Sequence, residues 1–208
     1  MSNINLLYID LFCGAGGTST GVESARVNGE QCAKVIACVN HDANAIASHA
    51  VNHPDALHFT EDIRTLELSP LIEHLAKWKA QYPSAAVVLW ASLECTNFSK
   101  AKGGQPRNAD SRTLAEHLFR YIESVNPDYI QIENVKEFMA IYQIVDILMR
   151  MLKILELKLI MGFPEDYMLI GTQADQKKFI GNAVEVTMAR VLCEAVSRKL
   201  LELRKVAA

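Results

Sequence analysis

The stretch "NLLYIDLFCGAGGTSTG" (residues 5–21) decides the fold, because an apolar run there ends abruptly in a glycine-rich loop. The run over residues 5–12 is typical of a buried strand. Glycines at positions 14, 16 and 17 let backbone amides approach a ligand closely, and a helix pattern follows at once. The spacing is not that of dinucleotide-binding proteins, and no lysine stands where a phosphate-binding loop needs one. The stretch predicts a nucleotide-type loop, with a plain strand-to-helix turn as the alternative.

Four further apolar runs follow at residues 33–40, 57–63, 85–92 and 128–134, and helix-like patterns separate them. Apolar strands that alternate with helices predict an α/β fold, with a parallel sheet covered on both faces and right-handed crossovers. In such a sheet, ligands bind at the carboxyl ends of the strands. The pattern loosens beyond Met139, and the chain closes with a long amphipathic helix. Its predicted buried stripe is Val184, Met188, Val191, Ala195 and Leu200.

Length and composition exclude several classes of protein. A chain of 208 residues that is half hydrophobic can bury a core, and its formal net charge of -3 argues against a generally basic nucleic-acid binder. The five cysteines are odd in number and form no CxxC pair, which favours reduced thiols. The sequence has no long apolar stretch and no leader pattern, so we expect a cytoplasmic protein without membrane contact. The local positive cluster consists of Lys100, Lys102, Arg107 and Arg112.

Polar residues stand at the ends of the second and third predicted strands. Asn40 or Asp42 stands at the one and Asp62 at the other, where a nucleoside site needs partners for ribose and adenine. Each alone is more typical of a helix cap or a turn. Three in register at one sheet edge favour the binding interpretation.

A metal site is the competing interpretation of residues 38–53. Cys38, His41, His49 and His53 form CxxH followed by HxxxH, a set that zinc would accept. The cysteine lies inside a strand pattern, however, and the helical histidines are expected on the surface. The sequence therefore predicts no metal site.

Cys95 and Glu133 are the candidate reactive groups. Cys95 follows the fourth strand by three residues and precedes a polar, basic loop, where lysines would lower the pKa of its thiol and a same-facing Glu94 would raise it. By residue statistics alone, a buried and inert cysteine is the better interpretation. Glu133 ends the fifth strand, where a carboxyl group could stay partly protonated and donate a hydrogen bond. A helix-capping Glu-Asn turn is its alternative.

In this order and context the motifs resemble those of the DNA (cytosine-5) methyltransferases over residues 5–139 and about 157–196. "DLFCGAGG" is similar to the family's S-adenosylmethionine loop, "EDIRTL" to its adenine-contacting turn and "ECTNFSKAKGG" to its nucleophile loop. "ENVKEF" matches the ENV motif, and "GFPEDY" with "GNAVEVTMARVL" resembles the C-terminal motif that completes the cofactor pocket. The resemblance implies a Rossmann-like S-adenosylmethionine-dependent methyltransferase fold, mostly parallel, with helices on both faces.

The resemblance also implies roles for single residues. Cys95 would attack C6 of a cytosine flipped out of the duplex, and Glu133 would hold or protonate N3 of that base. Lys100, Lys102 and Arg107 would touch phosphates. The implied contacts to S-adenosylmethionine are Phe12, Gly14, Gly16, Gly17, Asn40, Asp62, Ile63, Asn182 and Val184.

The chain departs from the family pattern in four places. Glu94 and Thr96 flank the cysteine where the family has Pro and Gln, and Asn40 replaces an acidic residue. The family's QxRxR motif and its target-recognition domain are not found. We therefore expect a cofactor-binding and catalytic core over residues 1–139, a junction over 140–156, and a C-terminal motif and helix over 157–208.

These omissions imply weak DNA binding and a second protein chain that could supply target recognition. A non-catalytic cofactor-binding remnant, a tRNA substrate and an unrelated Rossmann enzyme that uses a dinucleotide are the alternatives.

Overall fold

The computed structural model of the protein describes residues 4–92, 110–133 and 153–207, with no side-chain description for residues 110–116 and 207. Strands and helices alternate through the first two described ranges, and helices fill the third. The strands are β1 (Leu6–Leu11), β2 (Arg26–Val27), β3 (Glu30–Gln31), β4 (Ala33–Asn40), β5 (Leu57–Thr60), β6 (Ala86–Ser92) and β7 (Tyr129–Glu133). The helices are α1 (Gly17–Ser24), α2 (Ala43–Asn52), α3 (Ser69–Gln81), α4 (Asp110–Val125), α5 (Ile154–Ile160), α6 (Gln173–Gly181) and α7 (Val186–Ala207).

The main sheet has five strands in the order β5-β4-β1-β6-β7, and all four pairings are parallel. The chain builds outward from β1 to β5 and then crosses to the other side of β1 to add β6 and β7. This reversal creates a switch point beside β1, where open parallel sheets bind ligands. All five predicted strands are present, and the α/β prediction is confirmed.

Alternation along β1 divides the core between the two faces of the sheet. Leu7, Ile9 and Leu11 pack with the residues of α3 and α4, such as Leu71 and Tyr121. The other face belongs to a second cluster, which takes in α1 and α7. This second cluster includes Leu6, Tyr8, Val22, Trp90, Ala189 and Cys193.

The last strand is less well covered than the others. Ile130 and Ile132 are 43% and 57% exposed, on one face of β7. The described elements thus leave an apolar sheet face open next to Glu133.

Helix α7 is the long C-terminal helix that the sequence predicts, but the predicted stripe is rotated from the observed one. Met188 and Val191 are 43% and 49% exposed. The buried side chains of α7 also recur every three or four residues, but they lie on a different face of the helix. This face is the buried one because it brings Ala189 and the helix backbone against Gly21 of α1. These buried residues are Val186, Ala189, Cys193 and Ser197.

Strands β2 and β3 form a small antiparallel hairpin that the sequence analysis missed. Asn28 and Gly29 both have positive φ at its turn, and Asn-Gly between two strands is the typical signal of such a hairpin. Across the described ranges, no helix is both long and apolar enough to cross a membrane.

Candidate cofactor and active site

The loop between β1 and α1 has an unusual backbone. Phe12, Gly14 and Gly16 have φ values of 62°, 51° and 84°. For Phe12 this conformation is strained, since side chains with a Cβ rarely adopt it. Residues of opposite handedness in succession turn backbone N–H groups toward one side and make a concavity for anionic or polar groups. The first-turn amides of α1, which begins at Gly17, also have no preceding turn to bond.

The glycines of this loop serve two different contacts. At Gly14 an added Cβ would meet only the carbonyl oxygen of Phe12, at 3.8 Å, so this position is open toward a ligand. At Gly17 the same atom would overlap the carbonyl oxygen of Val184, and at Gly16 the hydroxyl of Tyr167. Gly16 and Gly17 therefore admit the C-terminal segment to the loop.

The C-terminal segment is fastened to the loop by Tyr167. Its ring is buried against Phe163, at 4.7 Å between centroids, and its hydroxyl donates to the carbonyl of Ala15. Lys158, also buried, donates to the carbonyl of Tyr167 at 2.9 Å. The "GFPEDY" motif thus holds the glycine loop from behind.

Helix α2 carries three more links to the same segment. Asn52 exchanges two hydrogen bonds with the backbone of Met168, at 2.9 and 3.1 Å. The Ser48 hydroxyl accepts from the amide of Ile170 at 2.7 Å. Lys178 lies 3.2 Å from Asp42. Asn182 ends α6 with its side chain exposed, while Val184 is buried beside α1.

At the end of β4 the polar residues form a helix start. The Asn40 side-chain oxygen accepts from the amide of Asp42 at 2.9 Å, and Asp42 caps α2 by accepting from two of its amides. Burial opposes ionisation of Asp42, but the hydrogen bond from Lys178 and those from the helix lower the pKa of this carboxyl group. Asp42 is thus the N-cap of α2, which is the alternative role that the sequence allowed. Asn40 does not cap the helix and is buried at the end of β4.

The turn after β5 is held from α4. Asp62 forms a two-pronged ion pair with Arg64, which lowers the pKa of its carboxyl group to about 2. Ile63 is buried, and its carbonyl accepts from the Tyr121 hydroxyl at 3.1 Å. Arg120 donates to three carbonyls of the turn, those of Ile63, Arg64 and Leu66. Sequence reasoning missed Arg120 and Tyr121, since nothing local marks a helix residue that contacts a turn more than fifty positions earlier.

Glu133 is half-buried at the end of β7, directly beside Ser92, the last residue of β6. Burial raises the pKa of its carboxyl group. The predicted nucleophile, Cys95, follows Ser92 by three residues and lies outside the described residues, as do the basic residues Lys100, Lys102 and Arg107. The sheet therefore brings Glu133 and Ser92 to one edge.

A buried polar chain lies beneath the glycine loop, and the sequence analysis did not predict it. The Ser19 hydroxyl donates to Asp10 at 2.8 Å and lies 2.9 Å from Nε2 of His49. Burial raises the pKa of Asp10 to about 8. His49 and His53 were expected on the surface, but both are buried, because α2 turns this face toward the sheet and α1. His53 binds Glu23 at 2.9 Å.

The five-stranded parallel order, the glycine loop after the first strand and the acidic turn after β5 define the Rossmann-like fold of S-adenosylmethionine-dependent methyltransferases. The sequence model of the C-5 cytosine-specific DNA methylases matches the chain over residues 6–147 and 140–198. The chain belongs to this family, as the motifs predicted.

Curated relatives agree with the family assignment. The Type II methyltransferase M.AgeI of Thalassovita gelatinovora is 33% identical over 128 residues, which make up 61% of this chain and 27% of the relative. A DNA-cytosine methyltransferase of Escherichia coli K12 is 33% identical over 146 residues, 62% of this chain and 29% of the relative. The chain thus spans less than a third of the length of these relatives.

Solved structures share the fold at low identity. Methyltransferase EhMeth of Entamoeba histolytica aligns with a TM-score of 0.57 over 94% of this chain and 98% of that chain, at 12% identity. A DNMT2 mutant of Spodoptera frugiperda gives a TM-score of 0.50 over 89% and 98%, at 11% identity. At these identities the likeness concerns the fold alone, and the predicted methyltransferase fold is confirmed.

Proposed function

We propose that this chain carries the cofactor-binding and catalytic core of a DNA (cytosine-5) methyltransferase that uses S-adenosylmethionine. The observation that carries the proposal is a convergence at one sheet edge. The glycine loop follows β1, an ionised Asp62 follows β5, and Glu133 with a raised pKa ends β7. Parallel strands bring these groups to the same side of the molecule.

The residues at this edge suit a nucleoside that carries an amino acid. Gly14 leaves room for a close approach, and Phe12 presents an apolar ring beside it. The anionic Asp62 can accept from the amine of adenine, and the Asn40 amide can bind a ribose hydroxyl. Gly16, Gly17, Ile63, Asn182 and Val184 complete the proposed pocket. When bound, S-adenosylmethionine supplies a methyl group activated by a sulfonium sulfur.

The base chemistry would fall to Cys95 and Glu133. The Cys95 thiolate attacks C6 of a flipped cytosine and forms a carbon–sulfur bond, while Glu133 donates its proton to N3. C5 thereby becomes nucleophilic and takes the methyl group. The C5 proton would then pass to water while the carbon–sulfur bond breaks and the C5–C6 double bond re-forms, and the N3 proton would return to Glu133, which leaves 5-methylcytosine and the free thiolate. The raised pKa of Glu133 supports this role, because only the protonated acid can donate.

A covalent trap tests the proposal. A duplex that contains 5-fluorocytosine cannot lose a proton from C5, so with cofactor it should remain bound to the protein through Cys95. The Cys95→Ser variant should form no adduct. Glu133→Gln should slow adduct formation by about 10²-fold or more. In wild type the rate of adduct formation should fall at high pH as Glu133 loses its proton, and this fall should be absent in Glu133→Gln. No adduct with either DNA or RNA, with source lysate present, would refute the catalytic proposal.

The cofactor site has a separate test. S-adenosylmethionine should raise the melting temperature of the wild-type chain and of Cys95→Ser alike, because ligands that bind the folded state stabilise it. A shift without any adduct would favour the second candidate, a cofactor-binding chain that is inactive without a partner. The exposed Ile130 and Ile132 beside Glu133 favour this candidate. Tritiated methyl transfer to mixed DNA, with and without source lysate, distinguishes the two.

A further inference from the structure

A compact group of buried sulfur and nitrogen atoms joins the glycine loop to β4 and α2. Sγ of Cys13, Sγ of Cys38 and a ring nitrogen of His49 all lie within 4.8 Å of one another. Cys13 is 5% exposed, and Cys38 and His49 are fully buried. His58 stands directly beside Cys38 on the neighbouring strand, and its Nε2 is 3.0 Å from Nδ1 of His49.

We propose that Cys13, Cys38, His49 and His58 form a structural zinc site. Two thiolates and two imidazoles are a common ligand set for Zn²⁺. Bond lengths of about 2.3 Å to sulfur and 2.0–2.1 Å to nitrogen place tetrahedral ligand atoms about 3.3–3.8 Å apart. Nδ1 of His49 already lies 3.5 Å from Sγ of Cys38 and 3.0 Å from His58. His58 lies outside the group of three mutually close atoms, so its ring must move toward Cys13 to complete the tetrahedron.

The hydrogen bonds behind His49 are compatible with the tautomer that a metal needs. Where Ser19 donates its hydroxyl hydrogen to Asp10, its oxygen can accept from Nε2–H of His49. In that tautomer of the neutral ring, Nδ1 carries a lone pair on the side of Cys38 and His58. Metal-bound histidines characteristically donate their other N–H to an oxygen acceptor.

Charge balance also favours a divalent ion. Binding of Zn²⁺ displaces the protons of both thiols, and the two thiolates then neutralise the ion. The buried site would carry no net charge.

The site differs from the zinc set that the sequence suggested. His41 is exposed and His53 is paired with Glu23, so neither belongs to it. Cys13 and His58, which sequence spacing did not connect, take their places. The metal would join the glycine loop, β4, β5 and α2 in one cluster.

Metal content is measured on the Cys95→Ser background, so that the proposed nucleophile contributes no ligand. The full chain, stripped with a chelator and then given Zn²⁺, should retain about one ion per chain after desalting. Replacement by Co²⁺ should give a thiolate-to-cobalt charge-transfer band. Zn²⁺ should also raise the melting temperature.

Cys13→Ser and Cys38→Ser should lose the ion and the band. Cys32→Ser should keep both, since Cys32 is equally buried but pairs with Cys193 and has no histidine beside it. His58→Asn, at a half-buried position, serves if the cysteine variants do not fold. Less than a tenth of an ion per chain in the Cys95→Ser parent, or equal loss when Cys32→Ser is added to it, would overturn the proposal. The test does not involve methyl transfer.

Discussion

At the scale of single residues, Asp10 is a carboxyl group held inside the core. It is fully buried, one carboxyl oxygen accepts from Ser19, and the other has no hydrogen-bond partner. Burial raises its pKa to about 8, from about 3.9 in an unfolded chain. The folded protein therefore holds a proton there that the unfolded chain has lost at neutral pH.

The pH dependence of stability should reveal this proton. The contribution of Asp10 is fully present below about pH 3.9 and is lost as pH rises toward 8, by about 1.4 kcal/mol per unit. Asp10→Asn has no titrating group at this position and lacks this loss. The free energy of unfolding of the variant, relative to that of wild type, should therefore increase by up to about 4 kcal/mol between pH 5 and 8. Urea titrations in the presence of a chelator measure the difference. Asp55→Asn is the control, because Lys34 lowers the pKa of this exposed carboxyl group. Its difference in unfolding free energy from wild type should not change between pH 5 and 8. If the difference for Asp10→Asn is equally independent of pH, the raised pKa of Asp10 is contradicted.

The sequence predicted the places of some polar residues in the fold and missed others. Asp62 and Glu133 lie at strand ends as predicted, because a carboxylate that ends an apolar run marks such a place in the sequence itself, and their roles stay predictions. The group of Cys13, Cys38, His49 and His58 could not be predicted, since it joins a loop, a helix and two strands that are adjacent only after the sheet has formed. Cys95 stays a prediction.

At the scale of elements, the strands were the most predictable part. The run at residues 33–40 became β4 at those same bounds, because a strand buried on both faces must be apolar throughout. The predicted stripe of α7 was wrong at Met188, Val191 and Ala195, which are exposed, because a helix with apolar residues on several faces does not reveal which one packs. Close contact with Gly21 decided it, and that contact links residues far apart in the chain.

The approach of α1 to the C-terminal segment predicts a sharp effect at Gly17. A Cβ there would overlap the Val184 carbonyl, which belongs to backbone and cannot swing aside. Gly17→Ala should therefore cost about 1–3 kcal/mol of unfolding free energy and weaken S-adenosylmethionine binding. Gly181→Ala is the matched control, because nothing lies within 4 Å of its added Cβ, and it should be neutral or stabilising by up to about 1 kcal/mol. Equal melting temperatures for the two variants would show that the segment does not press on α1.

The clamp from α4 predicts a positioning role for Arg120. Its guanidinium holds three carbonyls of the turn that carries Asp62 and Ile63, and a lysine has no rigid fork to replace it. Arg120→Lys should raise the Kd for S-adenosylmethionine about tenfold, equivalent to about 1.4 kcal/mol, as measured by calorimetry. Arg198→Lys, on the exposed side of α7, should leave the Kd unchanged. An unchanged Kd in Arg120→Lys would mean that the turn keeps its shape without the fork.

At the scale of the whole molecule, cofactor binding and target recognition separate. The described residues include a parallel sheet edge with a glycine loop, an acidic turn and a carboxyl group whose pKa is raised. The same chain has a net charge of -3 and spans less than a third of the curated relatives it matches. We therefore expect it to bind the small ligand well and DNA poorly.

DNA affinity and its salt dependence test this separation. At physiological salt the 208-residue chain should bind duplexes with a Kd in the nonspecific range of about 10⁻⁶–10⁻⁴ M, with less than about tenfold variation among sequences, since one good base contact is worth 1–3 kcal/mol. The double variant Lys100→Ala with Lys102→Ala should reduce the slope of log K against log salt by about 2. Lys199→Ala with Lys205→Ala, at exposed positions of α7, should leave it unchanged. Fluorescence anisotropy on labelled duplexes measures all three proteins, and nanomolar binding to one sequence would show that this chain reads its target alone.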